Sequence, residues 1–296
     1  FIATTNVVTH VGATPVFVDI DPGTYNIDPG KLEEKINKKT RAIIPVDQVG
    51  LPADLEAIFK IARKHKLHVI EDAACALGSI YRGKKIGSFG SLSCLSFHPR
   101  KTITTGEGGM ILTNNKKLAD YLRIFRHHGM SVSDVTRHRA NKIIHESYSA
   151  VGYNFRMSDI QAAVGVEQMK KLPEILAKRA YLAGCYTNAF LGAKFLIPPY
   201  VPKDSVHNWQ SYIIRLRPNK KITRDGLMQK LKDAGISTRI GIMASHIETP
   251  YKKMYPKLSL PETESAAKET VALPLYFQMT EKEQNFCIEK ILEITK

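Results

Sequence analysis

His68-Val-Ile-Glu-Asp72-Ala-Ala74 is a short apolar run that closes on two acids and two small residues. A run this short reads as a strand buried on both faces, the kind that builds parallel sheets. Its carboxyl end is then the place where ligands gather in open α/β sheets. Residues 15–20, 42–46, 93–97 and 109–113 repeat the short Val- and Ile-rich pattern on either side. Between them, residues 53–66 set Leu55, Ile58, Phe59 and Ala62 on one helical face, with Lys60, Arg63 and Lys64 pointing outward. Residues 117–127 repeat that arrangement with Leu118, Tyr121, Leu122 and Phe125. Strands alternating with amphipathic helices make the first half an α/β unit on a mainly parallel sheet.

The pattern changes further on. Residues 129–148 are polar and aperiodic, a long loop of the functional kind. Ser158-x-x-Gln161 is a capping box opening a helix that extends to about Phe190, with Pro173 expected to kink or break it. Strands are expected at 210–216 and 236–240, a helix at 223–234 closed by Gly235, and a last helix capped by Thr280-x-x-Glu283. This order implies a smaller C-terminal α+β domain. The expected division is residues 1–180 for the large domain and 181–296 for the small one.

With 296 residues, 43% hydrophobic and 24% charged, the chain has an ordinary globular composition, without repeats or low-complexity tracts. No apolar run is long enough to cross a bilayer and the start lacks a secretory pattern, so a cytoplasmic setting is expected. The chain opens at Phe1 rather than Met and is expected to be the later part of a longer polypeptide. Cys75, Cys94, Cys185 and Cys287 are scattered, which predicts reduced thiols and no structural metal. The net charge of +15 attracts anions. Its lysines, however, come in dispersed groups such as Lys38-Lys39, Lys84-Lys85, Lys170-Lys171 and Lys220-Lys221, the pattern of a solvated surface rather than a nucleic-acid stripe.

Twenty-nine positions after Asp72 comes Lys101, in Ser96-Phe-His-Pro-Arg-Lys101, followed by the turn Gly106-Glu-Gly-Gly109. A lysine beyond a strand end can form an imine with an aldehyde, and a buried carboxylate can pair with a protonated pyridine nitrogen. Taken singly, the acid pair reads equally as a helix cap or ion pair, and the lysine as a surface residue. His98, His127 and His128 lack the carboxylate or cysteine that would complete a metal set, and neither glycine turn is a Walker or dinucleotide loop.

Together with Gly152-Tyr-Asn154-Phe-Arg156-Met-Ser-Asp-Ile-Gln161-Ala-Ala, these runs resemble the DegT/DnrJ/EryC1/StrS sugar aminotransferases. The likeness extends through Gly12-Ala-Thr-Pro-Val-Phe-Val-Asp-Ile-Asp21, Gly241-Ile-Met-Ala-Ser-His246 and Leu273-Pro-Leu275, nearly the whole chain. It implies a fold-type-I pyridoxal phosphate (PLP) transferase working as a homodimer with shared active sites. Such enzymes move an amino group from L-glutamate to a nucleotide-linked keto sugar, in amino-sugar biosynthesis for lipopolysaccharide, other surface polysaccharide or a natural product. By that resemblance Lys101 bonds the cofactor aldehyde and carries the proton. Asp72 meets the pyridine nitrogen and Ser96 the phosphate, while Asn154 reaches the phosphate of the neighbouring subunit's site. Arg156 meets the nucleotide diphosphate, with His246 and Tyr251 of His246-x-x-x-Pro-Tyr251 near the nucleotide. Phe1 stands where an aromatic stacks on the ring. Cys75 stands where the family more often has His or Gln against the cofactor. The Gly-Ser/Thr turn that binds phosphate falls, in the family, before Phe1.

Two rivals differ in class. A PLP-dependent sugar dehydratase carries a histidine in place of the lysine, and Lys101 argues against it. A non-catalytic basic regulatory or nucleic-acid-binding module on the same fold has only the net charge in its favour. The sugar, its nucleotide and the ring carbon are not readable, and residues 129–148 are the expected place where they are set.

Overall fold

A computed structural model of the chain describes residues 1–90, 92–132, 137, 140–218 and 222–296. The Lys220-Lys221 pair and residues 133–136 and 138–139 of the polar loop lie outside the described residues.

The 68–74 stretch forms its strand. Helix α1 (Ile2–His10) precedes β1 (Ala42–Ile43), α2 (Leu55–His65) and β2 (His68–Asp72). The antiparallel pair β3 (Ile80–Tyr81) and β4 (Lys84–Lys85) comes next, then β5 (Leu92–Ser96), β6 (Gly109–Leu112) and α3 (Lys116–Phe125). The first sheet has the order β1-β2-β5-β6, with β1, β2 and β5 parallel and β6 antiparallel to β5. The α/β architecture and mainly parallel sheet are those read from the sequence.

Helix α2 forms where the periodicity placed it. The Asp54 carboxylate accepts from the Ala57 N–H at 3.1 Å as N-cap, and Lys66 ends the helix in the left-handed conformation at φ 54°. Leu55, Ile58 and Ala62 are fully covered, pack with Val69, Ala73, Ala76 and Tyr81, and leave the basic residues outside. Each large aliphatic side chain buried there contributes about 2 kcal/mol. Strand alternation sends Val69 and Glu71 into this core and Asp72 to the opposite face.

Helix α4 (Asp159–Phe190) starts at the capping box, with the Ser158 and Gln161 side chains each bonded to the other's backbone N–H. Pro173 does not break it. The prolyl residue forfeits one intrahelical hydrogen bond, but both sides of it are anchored. Leu172 and Ile175 pack with Phe97 and Ile103, and Leu182, Tyr186 and Phe190 sit in the core of the second sheet.

That second sheet holds β7 (Leu196–Ile197), β9 (Tyr212–Leu216), β10 (Arg239–Ile240) and β11 (Thr270–Leu273), all antiparallel, in the order β10-β11-β9-β7. The strand expected at 236–240 is only its last two residues, because Ile236 turns into the core. β8 (Ser205–Val206) instead joins β3 in the small third sheet. Helices α5 (Arg224–Asp233), α6 (Thr249–Met254), α7 (Pro261–Glu269) and α8 (Glu281–Thr295) complete the chain, the last with its Thr280/Glu283 capping box formed. Among the described residues no helix is long and apolar enough to cross a membrane.

Residues 15–20 are not a strand, since apart from an isolated bridge between Ile20 and Ile27 they run unpaired. Their backbone is held from the side instead. The buried Asp19 carboxylate accepts from the Thr263 N–H at 2.9 Å, the Thr263 hydroxyl at 2.7 Å and the Glu262 N–H at 3.2 Å, capping the first turn of α7 from 243 and 244 positions away in sequence. Helix α7 has no side-chain cap of its own. Residues 42–46 are likewise shortened to two strand residues plus a bridge between Val46 and Asp72, because Pro45 has no N–H to give the ladder.

Burial pushes the Asp19 carboxyl up, but the hydrogen bonds from Thr263, Ile20 and Glu262 outweigh it, and the group titrates below the ordinary aspartate value. A depressed folded value means that the contribution is present above the unfolded value near 4 and is lost as pH falls through the folded one. Replacing Asp19 by Ala is expected to cost about 2 kcal/mol at pH 7 in urea unfolding. The gap between wild type and variant should close as pH drops below about 4.

Candidate active site

The carboxyl ends of β2 and β5 lie side by side, with Asp72 opposite Cys94 and Glu71 opposite Ser93. Asp72 therefore leaves the sheet on the same face as Cys94, two residues before Ser96. Its half-buried carboxylate accepts from the Thr4 hydroxyl at 2.6 Å and from the Ala74 N–H at 3.1 Å. Thr4 was not singled out by sequence. The only signal for it was its position three residues after Phe1, on one face of a helical turn.

Lys101 sits in the loop between β5 and the antiparallel β6. Bonds to the loop's own backbone hold it: Lys101 N–H to His98 C=O at 2.9 Å, Thr105 N–H to Phe97 C=O at 3.0 Å, and Phe97 N–H to Gly108 C=O at 2.8 Å. Gly106, at φ 81°, lets the chain reverse. The Lys101 amine donates to the Cys75 sulfur at 3.2 Å, so the lysine and the turn after β2 meet directly. The backbone nitrogen of Phe1, at the start of α1, lies beside Asp72, Cys75 and Lys101. Four of the residues read from sequence, Phe1, Asp72, Cys75 and Lys101, are thus gathered at one point. Ser96 is half-buried at the end of β5, its hydroxyl 3.4 Å from the His98 N–H.

One segment unremarked in the sequence clamps both walls. Asn208 donates to the carbonyls of Cys75 at 2.7 Å and Leu77 at 3.0 Å, and Gln210 bonds the Arg100 carbonyl at 2.6 Å and the Thr102 hydroxyl at 3.0 Å. The residues on either side of Lys101 are therefore held by one side chain. The approach is close enough that a Cβ on Gly50, at φ 104°, would fall 1.9 Å from the Asn208 oxygen.

The other residues read from sequence lie apart from this cluster. Asn154 and Arg156 are exposed on the stretch leading to α4, where Asn154 bridges His127 and the Arg156 guanidinium meets the His127 ring. Among the described residues neither is hydrogen-bonded to Asp72, Ser96 or Lys101 of the same chain. The polar loop is pinned at its base by the bridge between Met130 and Tyr148. His246 is 1% exposed, beside Phe17 and bonded to Glu264 at 3.2 Å. Tyr251 is also buried, and its hydroxyl donates to Asn6 of α1 at 2.6 Å. Tyr251 thus supports α1 from behind, while the front of that helix meets Asp72 through Thr4.

The donor set fits pyridoxal phosphate: a primary amine, a carboxylate on the neighbouring strand and a hydroxyl at the adjacent strand end.

Comparison with known proteins points to the same cofactor. The sequence profile of the DegT/DnrJ/EryC1/StrS aminotransferase family matches residues 1–292. The spore coat polysaccharide biosynthesis protein SpsC of Bacillus subtilis is 38% identical over all of this chain and 77% of its own length. Among solved structures, Helicobacter pylori PseC, an aminotransferase involved in the biosynthesis of pseudoaminic acid, superposes with a TM-score of 0.92 at 29% identity, covering 100% of this chain and 77% of PseC. The PLP-form of Spr1654 from Streptococcus pneumoniae, assigned as a sugar aminotransferase, gives 0.90 at 26% identity, covering 100% and 78%. The chain belongs to the DegT/DnrJ/EryC1/StrS aminotransferase family, with its fold-type-I α/β architecture and pyridoxal phosphate as cofactor.

Proposed function

We propose that this sugar aminotransferase takes its amino group from L-glutamate and delivers it to a nucleotide-linked keto sugar, working as a homodimer in the cytoplasm. The observation that carries the reading is the convergence of the Lys101 amine with Asp72, Cys75 and Phe1 at two adjacent strand ends. When bound, the cofactor supplies an aldehyde and a ring that takes up the electron pair of a broken C–H bond. The Lys101 Nζ, once freed, would remove the proton from the donor carbon and deliver it to the former aldehyde carbon on the far side of the transferred nitrogen. The same nitrogen runs the second half in reverse with the keto sugar. Asp72 keeps a proton on the ring nitrogen, and Thr4 and the Ala74 N–H orient its carboxylate for that task. Cys75 lies against the lysine where the family more often has His or Gln, and the Ser96 hydroxyl serves the phosphate.

Asn154 and Arg156 are assigned to a site completed by a second copy, Asn154 on the phosphate and Arg156 on the nucleotide diphosphate, where a guanidinium can bond two oxygens at once. Supporting this, the stretch around them exposes Val151 at 93%, Phe155 at 67% and Ile160 at 80%, an apolar surface of the sort a partner subunit covers. His246 and Tyr251 act at the nucleotide end, Tyr251 through α1. The division of the chain falls within α4, near residue 180. The product is an amino sugar for a surface polysaccharide such as lipopolysaccharide, or for a natural product.

Lys101→Ala is expected to lose all measurable glutamate-dependent formation of 2-oxoglutarate with a panel of nucleotide keto sugars, while far-ultraviolet circular dichroism stays that of the wild type. Wild-type turnover by that variant would remove Lys101 from the mechanism. Mixed dimers of Lys101→Ala and Asn154→Ala subunits should recover activity that neither variant has alone, since one of the two sites is then intact. No recovery on mixing would count against shared sites.

A further inference from the structure

Behind the site lies a second pair of acids that the transamination chemistry leaves unused. Asp47 is 0% exposed and Glu71 is 1% exposed. Asp47 stands just past the end of β1 and Glu71 on β2 next to Asp72, but on the other face of the sheet. Half of their oxygens are taken. Asp47 Oδ1 accepts from the Ala53 N–H at 2.9 Å, and Glu71 Oε2 accepts from the Ser93 hydroxyl. The Gly87 N–H also serves Glu71. Two oxygens remain, Asp47 Oδ2 and Glu71 Oε1, both buried and neither with a donor. The two side chains are within hydrogen-bonding distance of each other.

Among the described residues no cation pairs with either group. Two buried carboxylates in contact cannot both stay ionised, and a single proton placed between them converts both orphan oxygens into one charge-assisted hydrogen bond. We propose that Asp47 and Glu71 hold one proton between them, with Asp47 as donor, and that this bond fixes the strand end that presents Asp72.

The surrounding geometry gives the bond its leverage. Asp47 N–H donates to the Asp72 carbonyl at 3.0 Å, and Asp72 N–H donates to the Pro45 carbonyl at 2.8 Å. Asp47 and Glu71 therefore hold the backbone on both sides of Asp72, one through that ladder and one by direct succession in the chain. The charged and titratable groups whose fields reach the pair are Asp72 and, on β5, Cys94, both on the opposite face of the sheet. Burial raises the Asp47 carboxyl well above the ordinary range, with the charges of Glu71 and Asp72 adding to it. Burial also raises Glu71, against its donors Ser93, Asp47 and Gly87. Burial likewise raises the Cys94 thiol, and the negative charges of Asp72 and Glu71 add to the effect. The pair keeps one net negative charge beside Asp72, which adds to the field offered to a protonated ring nitrogen. This last step rests on the role proposed for Asp72, whereas the shared proton does not.

Charge counting on the folded protein tests the proton. Asp47→Asn and Glu71→Gln each replace the acid-carboxylate pair by an amide-carboxylate pair. Each should migrate with the wild type in capillary electrophoresis at pH 7, where the exposed control Glu174→Gln shifts by one charge. The double variant Asp47→Asn/Glu71→Gln should shift by one charge. A one-charge shift in either single variant would mean two ionised groups and overturns the proposal. Difference infrared spectra should show a protonated-carboxyl band in the wild type that is gone from both single variants. A band that persists in either would mean two protonated acids and overturns it as well. Both readouts are differences from the wild type, so they stand whatever Asp72 does.

Cofactor binding tests the positioning role. Asp47→Val should raise the dissociation constant for pyridoxal phosphate about tenfold, and Asp47→Asn, which can still donate to Glu71, should leave it near the wild-type value. Equal losses in the two variants would overturn that role. If Asp47→Val does not fold, Asp47→Asn still decides, because a tenfold loss there contradicts it alone.

Discussion

Parallel pairing of β2 with β5 sets Asp72 against Cys94, and the site follows from that register. Side chains alternate along a strand, so a slip of one residue would send Asp72 into the α2 core and bring Glu71 out to the cofactor face. Val69 prevents the slip by packing among Ile58, Ala62 and Ala73, and the buried Glu71 is bonded by Ser93 on the same face of β5. Two adjacent acids thereby meet opposite environments. One is half-open and held by Thr4, while the other is sealed between Asp47 and Ser93.

The lysine depends on the same edge of the sheet by a different route. Its loop is closed by β6, which runs antiparallel to β5, and is tied down by Gln210 from the segment leading into the second sheet. Asn208, two residues earlier, holds the turn that carries Cys75. Both walls of the site are thus fastened to one short segment, and α4 connects the two cores without interruption by packing on each. A substitution at Gly50 reaches the site through this clamp, since any side chain there meets Asn208.

What was legible in the sequence was local or periodic. The α2 stripe, the strand at 68–72 and the capping boxes at Ser158 and Thr280 each depend on residues within a few positions of one another, and each forms where its pattern lies. The order of the acid, the lysine and the glycine turn was also legible, because it carries a family's signature. What was not legible depends on distance. The stretch 15–20 has a strand's composition, yet Asp19 spends its hydrogen bonds on α7. Thr4, Asn208 and Gln210 are ordinary polar residues until the fold brings them to Asp72, Cys75 and Lys101. Asp47 is 24 positions from Glu71, and nothing along the chain announces that the two meet. Pro173 reads as a helix breaker because propensity sees one lost bond, while the structure sees two cores on either side of it.

The account places the reactive amine at Lys101, and reduction of the cofactor-loaded protein with borohydride, followed by peptide mass mapping, tests that placement most directly. It predicts a single pyridoxyl-modified residue, Lys101, with the label lost in Lys101→Arg. A label on any other lysine, or a loaded protein that takes up no label on reduction, would contradict it.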